Sequence, residues 1–377
     1  AMRLSSLCII LALAFESASC YKILVYNVRF GHSHSNFMGN IADILAEGGH
    51  NVTSLVPIIE ESVNDGTTKS NMIYVQQTDE MKQMSEAMGG DDDPDFFSMD
   101  VFDVITTYFI SKFMGQMFTA QCKGVLEEPG LIERLAAEKY DVFIVENFDM
   151  CGAALEPVIK PKSFITSGAS SPFSRMFSEF GIPLSLSYNP SSYMSHLDVH
   201  SMASRLKNIY ADFVMQLFFW PGRYIVEDLF RAKYGSDYPS LEEISSHAAY
   251  TFINTEPLID FATPTLNRVI PIGGIGAKEP KPLDKYWNDV LSLKKKTVLL
   301  SFGSVIKSKE LPIEVKESIV KAIGEFPEVT FIWKYEEPES EFALTAQKKL
   351  PNLVMTKWQP QNDLLSQSTK ERQLFDN

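Results

Sequence analysis

Two segments of the chain carry the same pattern, and no other feature restricts the fold as much. Residues 21–26, YKILVY, form a short apolar run. A Gly/His/Ser loop follows, and then Met38, Ile41, Ala42 and Leu45 fall at i, i+3, i+4 and i+7. That is the spacing of a helix with one apolar face, and Gly48 and Gly49 end it. A second apolar run, HNVTSLVP, comes next. Runs of this kind suit strands buried on both faces, and a strand–helix–strand unit sets its strands parallel. The pattern restarts at KTVLLSFGS. A helix is expected near Pro312, with Val315, Ile319, Ala322 and Ile323 on its apolar face, followed by VTFIWKY and PNLVMTKW. The expected fold is therefore α/β, with two Rossmann-like halves. Ligands of such sheets sit at the carboxyl ends of the strands. That rule points to the loops after Tyr26, Val145, Leu300 and Thr356.

The stretch between the two patterns is mostly helical in character. GGDDDPDFFSMD is an acidic loop, residues 127–139 read as a helix, and YDVFIVE reads as a strand. SFITSGASSPF and GIPLSLSYNPSSY read as strand-like pieces, and AAYTFINTEP as a strand. The aromatic-rich FVMQLFFWPGRYIVEDLF suits a buried helix hairpin better than a membrane-surface helix. RVIPIGGIGAKEPKP has the Gly, Pro and Lys content of a linker. These readings divide the chain into residues 21–268, a linker at 269–296, a second domain at 297–368 and an atypical tail at 369–377.

The first residues, MRLSSLCIILALAFESASC, carry an early Arg3, nine apolar residues from Leu7 to Phe15, and then small residues. That is the pattern of a secretory signal peptide, assigned here to residues 1–20. Of the four cysteines, Cys122 and Cys151 lie outside it. They pair in an oxidising compartment or stand as two buried thiols. The formal net charge of −14 argues against nucleic acid as a partner. It does not exclude a small anionic ligand, because local dipoles act at shorter range than net charge.

Several residues have the chemistry of a site. His32 and His34 follow the first strand, and an imidazole is the natural general base near neutral pH. Glu146 and Asp149 follow the strand YDVFIVE, where a carboxylate can face the first loop and hold an imidazole in one tautomer. Both pairs are also compatible with a solvated surface. The loop SFGS, residues 301–304, offers N–H and O–H groups to phosphate ahead of a helix. Trp358 can lay an indole face against a planar base, and Gln361 offers a donor and an acceptor to its edge. Asp91, Asp92 and Asp93 suggest a metal site only superficially, because no strand precedes them; no metal is expected.

Taken together, the stretches KILVYNVRFGHSHSNFMGNIADILAEGGHNVT, YDVFIVENFDMCG, FINTEPLIDFATPTLNRVIPIGGIG, VLLSFGS and KWQPQNDLL resemble the animal UDP-glucuronosyltransferases. The resemblance implies a GT-B fold of two Rossmann-like domains, the first binding the acceptor and the second the UDP-sugar. It implies transfer, with inversion and without a cofactor or metal, from UDP-glucuronic acid or UDP-glucose to small lipophilic alcohols or phenols. The family's catalytic His lies sixteen residues before the Gly-His pair opening the second strand, which selects His34 over His32. The family's partner Asp is replaced by the longer Glu146, with Asp149 as the alternative. Ser304 matches a diphosphate contact, Trp358 the uracil-stacking Trp, and Gln361 the end of the same run.

The family pattern continues past Asp363-Leu364-Leu365 into a His-x-Gly-x-x-Ser turn, residues that hold the sugar, and a membrane-spanning helix. The tail STKERQLFDN does not follow it. The second domain is accordingly expected to be incomplete, and transfer by the chain as written weak or absent. The full-length form is expected in the endoplasmic reticulum lumen with a membrane anchor. The alternative is a non-catalytic short form that binds a lipophilic ligand, or associates with itself or a full-length relative.

Overall fold

Parallel pairing organises the first half of the molecule. A computed structural model describes residues 20–88, 100, 102–170, 174–194, 196–277, 279–303 and 307–372. The signal-peptide stretch 1–19, the Asp91–Asp93 run, Ser304 and residues 373–377 lie outside them. The strands are β1 (Lys22–Tyr26), β2 (Asn51–Pro57), β3 (Asn71–Val75), β4 (Val142–Glu146), β5 (Ser163–Gly168), β6 (Tyr250–Ile253), β7 (Val269–Pro271), β8 (Lys296–Leu300), β9 (Val329–Lys334) and β10 (Leu353–Thr356). The helices are α1 (His32–Glu47), α2 (Asp79–Met88), α3 (Val104–Glu127), α4 (Leu131–Ala137), α5 (Met150–Ala154), α6 (Glu156–Ile159), α7 (Ser174–Glu179), α8 (Met202–Tyr234), α9 (Leu241–Ser246), α10 (Lys285–Leu291), α11 (Ile313–Gly324), α12 (Glu341–Lys349) and α13 (Gln361–Arg372). The chain divides into two compact units between Gly276 and Ala277.

In the first unit seven strands form one parallel sheet, in the order β3-β2-β1-β4-β5-β6-β7. Strand alternation separates its two faces. Ile23, Val25 and Ile144 point to one face and pack with Phe37, Met38 and Ile41 of α1. Leu24, Tyr26, Phe143 and Val145 point to the other and pack with residues of α3, α5 and α8. Chain order runs outward from β1 through β2 to β3, then returns to β4 beside β1. The direction of winding therefore reverses between β1 and β4, the place where open α/β sheets bind ligands.

The start of α1 is fixed by a close backbone approach. Gly39 lies so near the Gly66 carbonyl that a Cβ would overlap it, and Gly66, at φ 68°, is as close to the Ser35 carbonyl. Ser35 Oγ donates to the Asn64 carbonyl at 2.6 Å. The Asp43 carboxylate accepts the Thr68 and Lys69 amides, at 3.0 and 2.9 Å to Oδ1, and so closes the same loop. Cys122 of α3 and Cys151 of α5 form a disulfide with Cα atoms 5.7 Å apart, which settles the choice between paired and free thiols.

Four sequence expectations change within residues 127–296. The linker drawn at 269–296 contains β7, which completes the first sheet, and α10, whose Trp287 and Val290 are core residues of the second unit. Gly181 to Tyr193 contains no strand. Its backbone is instead held by buried Asn208 of α8, whose Nδ2 donates to the Leu186 and Asn189 carbonyls while Oδ1 accepts from Ser191 N. The expected helix 127–139 is broken before Leu131, where Pro129 disfavours helical backbone at its predecessor and Gly130 takes φ 67°. The expected hairpin is one 33-residue helix, α8, with Pro221 inside it. Its neighbour α3 runs parallel to it, with Ser111 beside Phe218, Gly115 facing Gly222 and Leu126 beside Lys233.

The second unit has a three-stranded parallel sheet in the order β10-β9-β8. Trp333, Tyr335, Leu353 and Met355 pack on one face with α11 and α12. Trp287, Val290, Ile332 and Leu364 pack on the other. The α11 stripe is narrower than expected: Ile323 is buried and Ile319 partly so, while Val315 and Ala322 are exposed. No helix among the described residues is long and apolar enough to cross a membrane.

The Gly39–Gly66 contact leaves no space for a methyl group. Gly39→Ala is expected to lower stability by about 1–3 kcal/mol, read as the urea-unfolding midpoint of the first unit. An unchanged midpoint would show that loop 64–67 yields.

Candidate active site

The reversal point carries an imidazole–carboxylate pair. His34 lies in the first turn of α1, on the sheet face that α1 covers. Glu146 is the last residue of β4 and has the same parity as Ile144, so its side chain turns to that face. His34 Nδ1 and Glu146 Oε1 are 2.5 Å apart. Glu146 is 2% exposed, and Oε1 also accepts the Ala169 amide at 3.2 Å. With Nδ1 occupied, Nε2 is the ring nitrogen available to another molecule. His32 is exposed at the outer side of the same turn.

Aromatic rings set the angle of the imidazole. Phe30 and Phe148 stack with centroids 5.2 Å apart, and both lie against His34, at 4.6 and 4.9 Å. Phe118 and Phe219 meet Phe148 edge-on. The pocket at the pair is lined by His34, Glu146, Asn147, Phe148, Met176 and Phe219, among others. A second, almost wholly apolar pocket shares Phe148 and Phe219 with it and adds Met114, Phe118 and Phe218. The walls beside the imidazole are therefore mainly apolar, with Asn147, Ser170 and Glu179 as further polar groups in the lining.

Asp149 has a different place. Its Oδ1 caps α5 by accepting the Cys151 amide at 2.9 Å. Burial pushes its carboxyl up to about 7, against the lowering influence of the Cys151 amide and the Tyr26 hydroxyl; Glu146 adds to the rise. The carboxylate that meets His34 is Glu146, so the longer side chain reaches the imidazole. The alternative at Asp149 is occupied by the helix cap.

In the second unit, the loop after β8 and the residues after β10 lie at the carboxyl edge of one sheet, with β9 between them. That spacing is about 10 Å. Trp358 is 74% exposed, with its indole uncovered, and Gln361 opens α13 in an exposed position. Gln359, between them in sequence, is buried with neither end of its amide hydrogen-bonded. Ser304 lies outside the described residues, and its loop is described to Gly303, at φ 94°. Among the described residues no group of three or more His, Cys, Asp or Glu is arranged to hold a metal ion.

Sequence reasoning selected His34, Glu146, Trp358 and Gln361. It missed Phe30, Phe148, Phe219 and the Ala169 amide, which come from four separate segments. Phe30 and Phe148, each within four residues of a selected residue, were the only local signal.

The chain matches the UDP-glucoronosyl and UDP-glucosyl transferase family over residues 21–371. It belongs to that family. Among its relatives, the putative UDP-glucuronosyltransferase ugt-48 of Caenorhabditis elegans is 26% identical over 362 residues, 93% of this chain and 67% of the relative. UDP-glucuronosyltransferase 3A1 of Bos taurus is 28% identical over 373 residues, 94% of this chain and 65% of the relative. The chain thus spans about two thirds of the length of such relatives. Among solved structures, a kitacinnamycin glycosyltransferase aligns with TM-score 0.53 and 14% identity, over 91% of this chain and 72% of that one. Phytolacca americana UGT2, solved with UDP-2-fluoro-glucose and pterostilbene, aligns with TM-score 0.51 and 13% identity, over 91% and 72%. The likeness gives the fold as GT-B, with two Rossmann-like parts. A UDP-sugar is the family's co-substrate, consumed in the reaction rather than held as a resident cofactor.

The Asp149 carboxyl makes stability depend on pH. Its folded pKa, about 7, lies above its unfolded value. Its contribution is therefore full below about pH 4 and is lost as pH rises through about 7. Asp149→Asn is expected to remove this loss, so the stability difference between variant and parent grows in the variant's favour from acid to neutral pH. Parallel urea-midpoint profiles for the two proteins would contradict the assignment.

Proposed function

We propose that the protein transfers a sugar from a UDP-sugar, UDP-glucuronic acid or UDP-glucose, to the hydroxyl of a small lipophilic alcohol or phenol, with His34 as general base. The observation that carries this reading is the 2.5 Å contact between His34 Nδ1 and Glu146 at the reversal point of the first sheet. An acceptor hydroxyl placed at Nε2 gives its proton to the imidazole as its oxygen attacks the anomeric carbon. The bond from that carbon to the UDP oxygen breaks on the opposite face, so the configuration inverts and UDP departs with the electron pair. Glu146 holds the Nδ1 proton, which keeps Nε2 unprotonated before the step, and its charge stabilises the imidazolium afterwards. The proton then passes to solvent.

The aromatic and methionine walls favour a flat, apolar acceptor, because burial supplies its affinity without hydrogen bonds. On the donor side, Trp358 stacks on uracil, Gln361 takes the base edge and Ser304 a diphosphate oxygen. Their exposure at a sheet's carboxyl edge supports this for the first two. The Cys122–Cys151 disulfide favours an oxidising compartment, in keeping with the endoplasmic reticulum lumen. Membrane attachment in a longer form of the protein belongs to the same proposal.

In a longer form of the protein with a complete second domain, His34→Ala is expected to lower the transfer rate by about 10²–10⁴ and leave UDP affinity unchanged, measured by product chromatography and by calorimetry with UDP. Retained transfer would reassign the base. Trp358→Ala is expected to weaken UDP binding by about 1–3 kcal/mol. Unchanged UDP affinity would remove the indole from the donor site.

A further inference from the structure

Two polar atoms in the wall of the His34 pocket have no partner. Glu146 Oε1 meets His34 and the Ala169 amide, but Oε2 is buried and accepts no hydrogen bond. The Nδ2 of Asn147, the next residue, is likewise buried and donates none. Both residues line the pocket. The other polar side chains of that lining, Ser170 and Glu179, have interactions of their own. Nearly all buried polar atoms in folded proteins find a partner, because an unmatched one forfeits its hydration without return. Two such atoms on adjacent residues, at the edge where the sheet binds ligands, point to a group that arrives with the ligand.

The backbone that carries them is held on both sides. Asn147 N donates to the Ser167 carbonyl at 2.8 Å, which continues the β4–β5 ladder past Glu146, and the next ring, Phe148, is stacked on Phe30. The chemistry of the missing group follows from the two atoms. A carboxylate oxygen only accepts, and an amide nitrogen only donates. One hydroxyl answers both: its O–H donates to Glu146 Oε2, and its oxygen accepts from Asn147 Nδ2. A carbonyl or a carboxylate would be repelled by Glu146, and an ammonium would leave Nδ2 unmatched. This hydroxyl is not the reacting one. The transferase reading places the reacting hydroxyl at Nε2, while Glu146 lies at Nδ1. The two ring nitrogens point apart, so groups bound at Nε2 and at Glu146 stand farther apart than the neighbouring hydroxyls of a catechol. Hydroxyls set meta or para on one aromatic ring meet that separation.

We propose that Asn147 Nδ2 and Glu146 Oε2 select acceptors with a second hydroxyl, set meta or para to the reacting one on an aromatic ring. Burial against the aromatic walls supplies affinity, and these two atoms supply the selection. A wall built to pair a hydroxyl discriminates against the analogue that lacks it, because its own polar atoms are then left unmatched. The inference rests on the transferase reading for the place of the reacting hydroxyl.

The test measures binding without UDP-sugar, so its failure is separate from a failure of the transferase reading. Calorimetry on the whole chain compares a phenol, a catechol and a resorcinol that carry the same alkyl chain. The resorcinol is expected to bind at least about tenfold more tightly than the phenol, as a hydrogen bond to a charged group implies, and more tightly than the catechol. In Asn147→Leu, which keeps the size and removes the donor, the preference for resorcinol over phenol is expected to fall at least about threefold. Should that variant misfold, the three affinities of the parent decide. Equal affinities for phenol and resorcinol overturn the proposal in favour of a water that pairs both atoms. A preference for catechol over resorcinol, an unaltered preference in the folded variant, or binding of none of the three overturns it as well. Preference without turnover in a longer form of the protein supports the selection and counts against the transferase reading alone; turnover without preference does the reverse.

Discussion

The parallel pairing of β1 with β4 is the constraint on which the rest of the first unit depends. Its register sets Ile23 against Val142, Leu24 against Phe143 and Val25 against Ile144. That places the end of β1, the turn into α1 and the carboxylate of Glu146 at one level. A slip of one residue would turn Glu146 to the opposite face, among Phe143 and Val145, and bury a carboxylate in an apolar layer. The apolar residues on both faces oppose such a slip, so the packing that stabilises the sheet also aims the functional side chain. The pair is thus held from below by the core and from the side by the Ala169 amide.

The other half of the pair is held by α1. Its first turn has no side-chain cap, and Gly31 precedes it. What fixes it is the backbone contact of Ser35 and Gly39 with residues 64–67, reinforced by Asp43. The imidazole then lies against the stacked rings of Phe30 and Phe148. Rigid support from separate elements is what a proton-transferring group requires, because misplacement by even one ångström costs much of the rate.

The fold class was legible because β1, α1 and β2 each carry a strong local period. The second unit repeats that period, and Ile319 and Ile323 fall where it puts them. Local patterns failed where long-range contacts decide. Val269–Pro271 is a three-residue strand amid Pro and Gly, recognisable only by its pairing with β6. Gly181 to Tyr193 looked strand-like, but Asn208, from a distant helix, takes its carbonyls. At the site, the choice of His34 over His32 came from family spacing rather than from the local residues. The structure separates the two by burial and by the Glu146 contact. Glu146 and Asp149 were both plausible, and strand parity for one and a helix cap for the other distinguish them. The aromatic walls had no common sequence pattern, because they are assembled from α3, α8 and two loops.

The most direct test of the central claim is a nitrogen-15 NMR spectrum of the histidine-labelled chain. A strongly hydrogen-bonded Nδ1 proton on His34 is predicted, visible as a far-downfield resonance that is lost in His34→Ala and moved upfield in Glu146→Gln. A spectrum in which His34 carries its proton on Nε2, or in which Glu146→Gln leaves the resonance unchanged, would contradict the account.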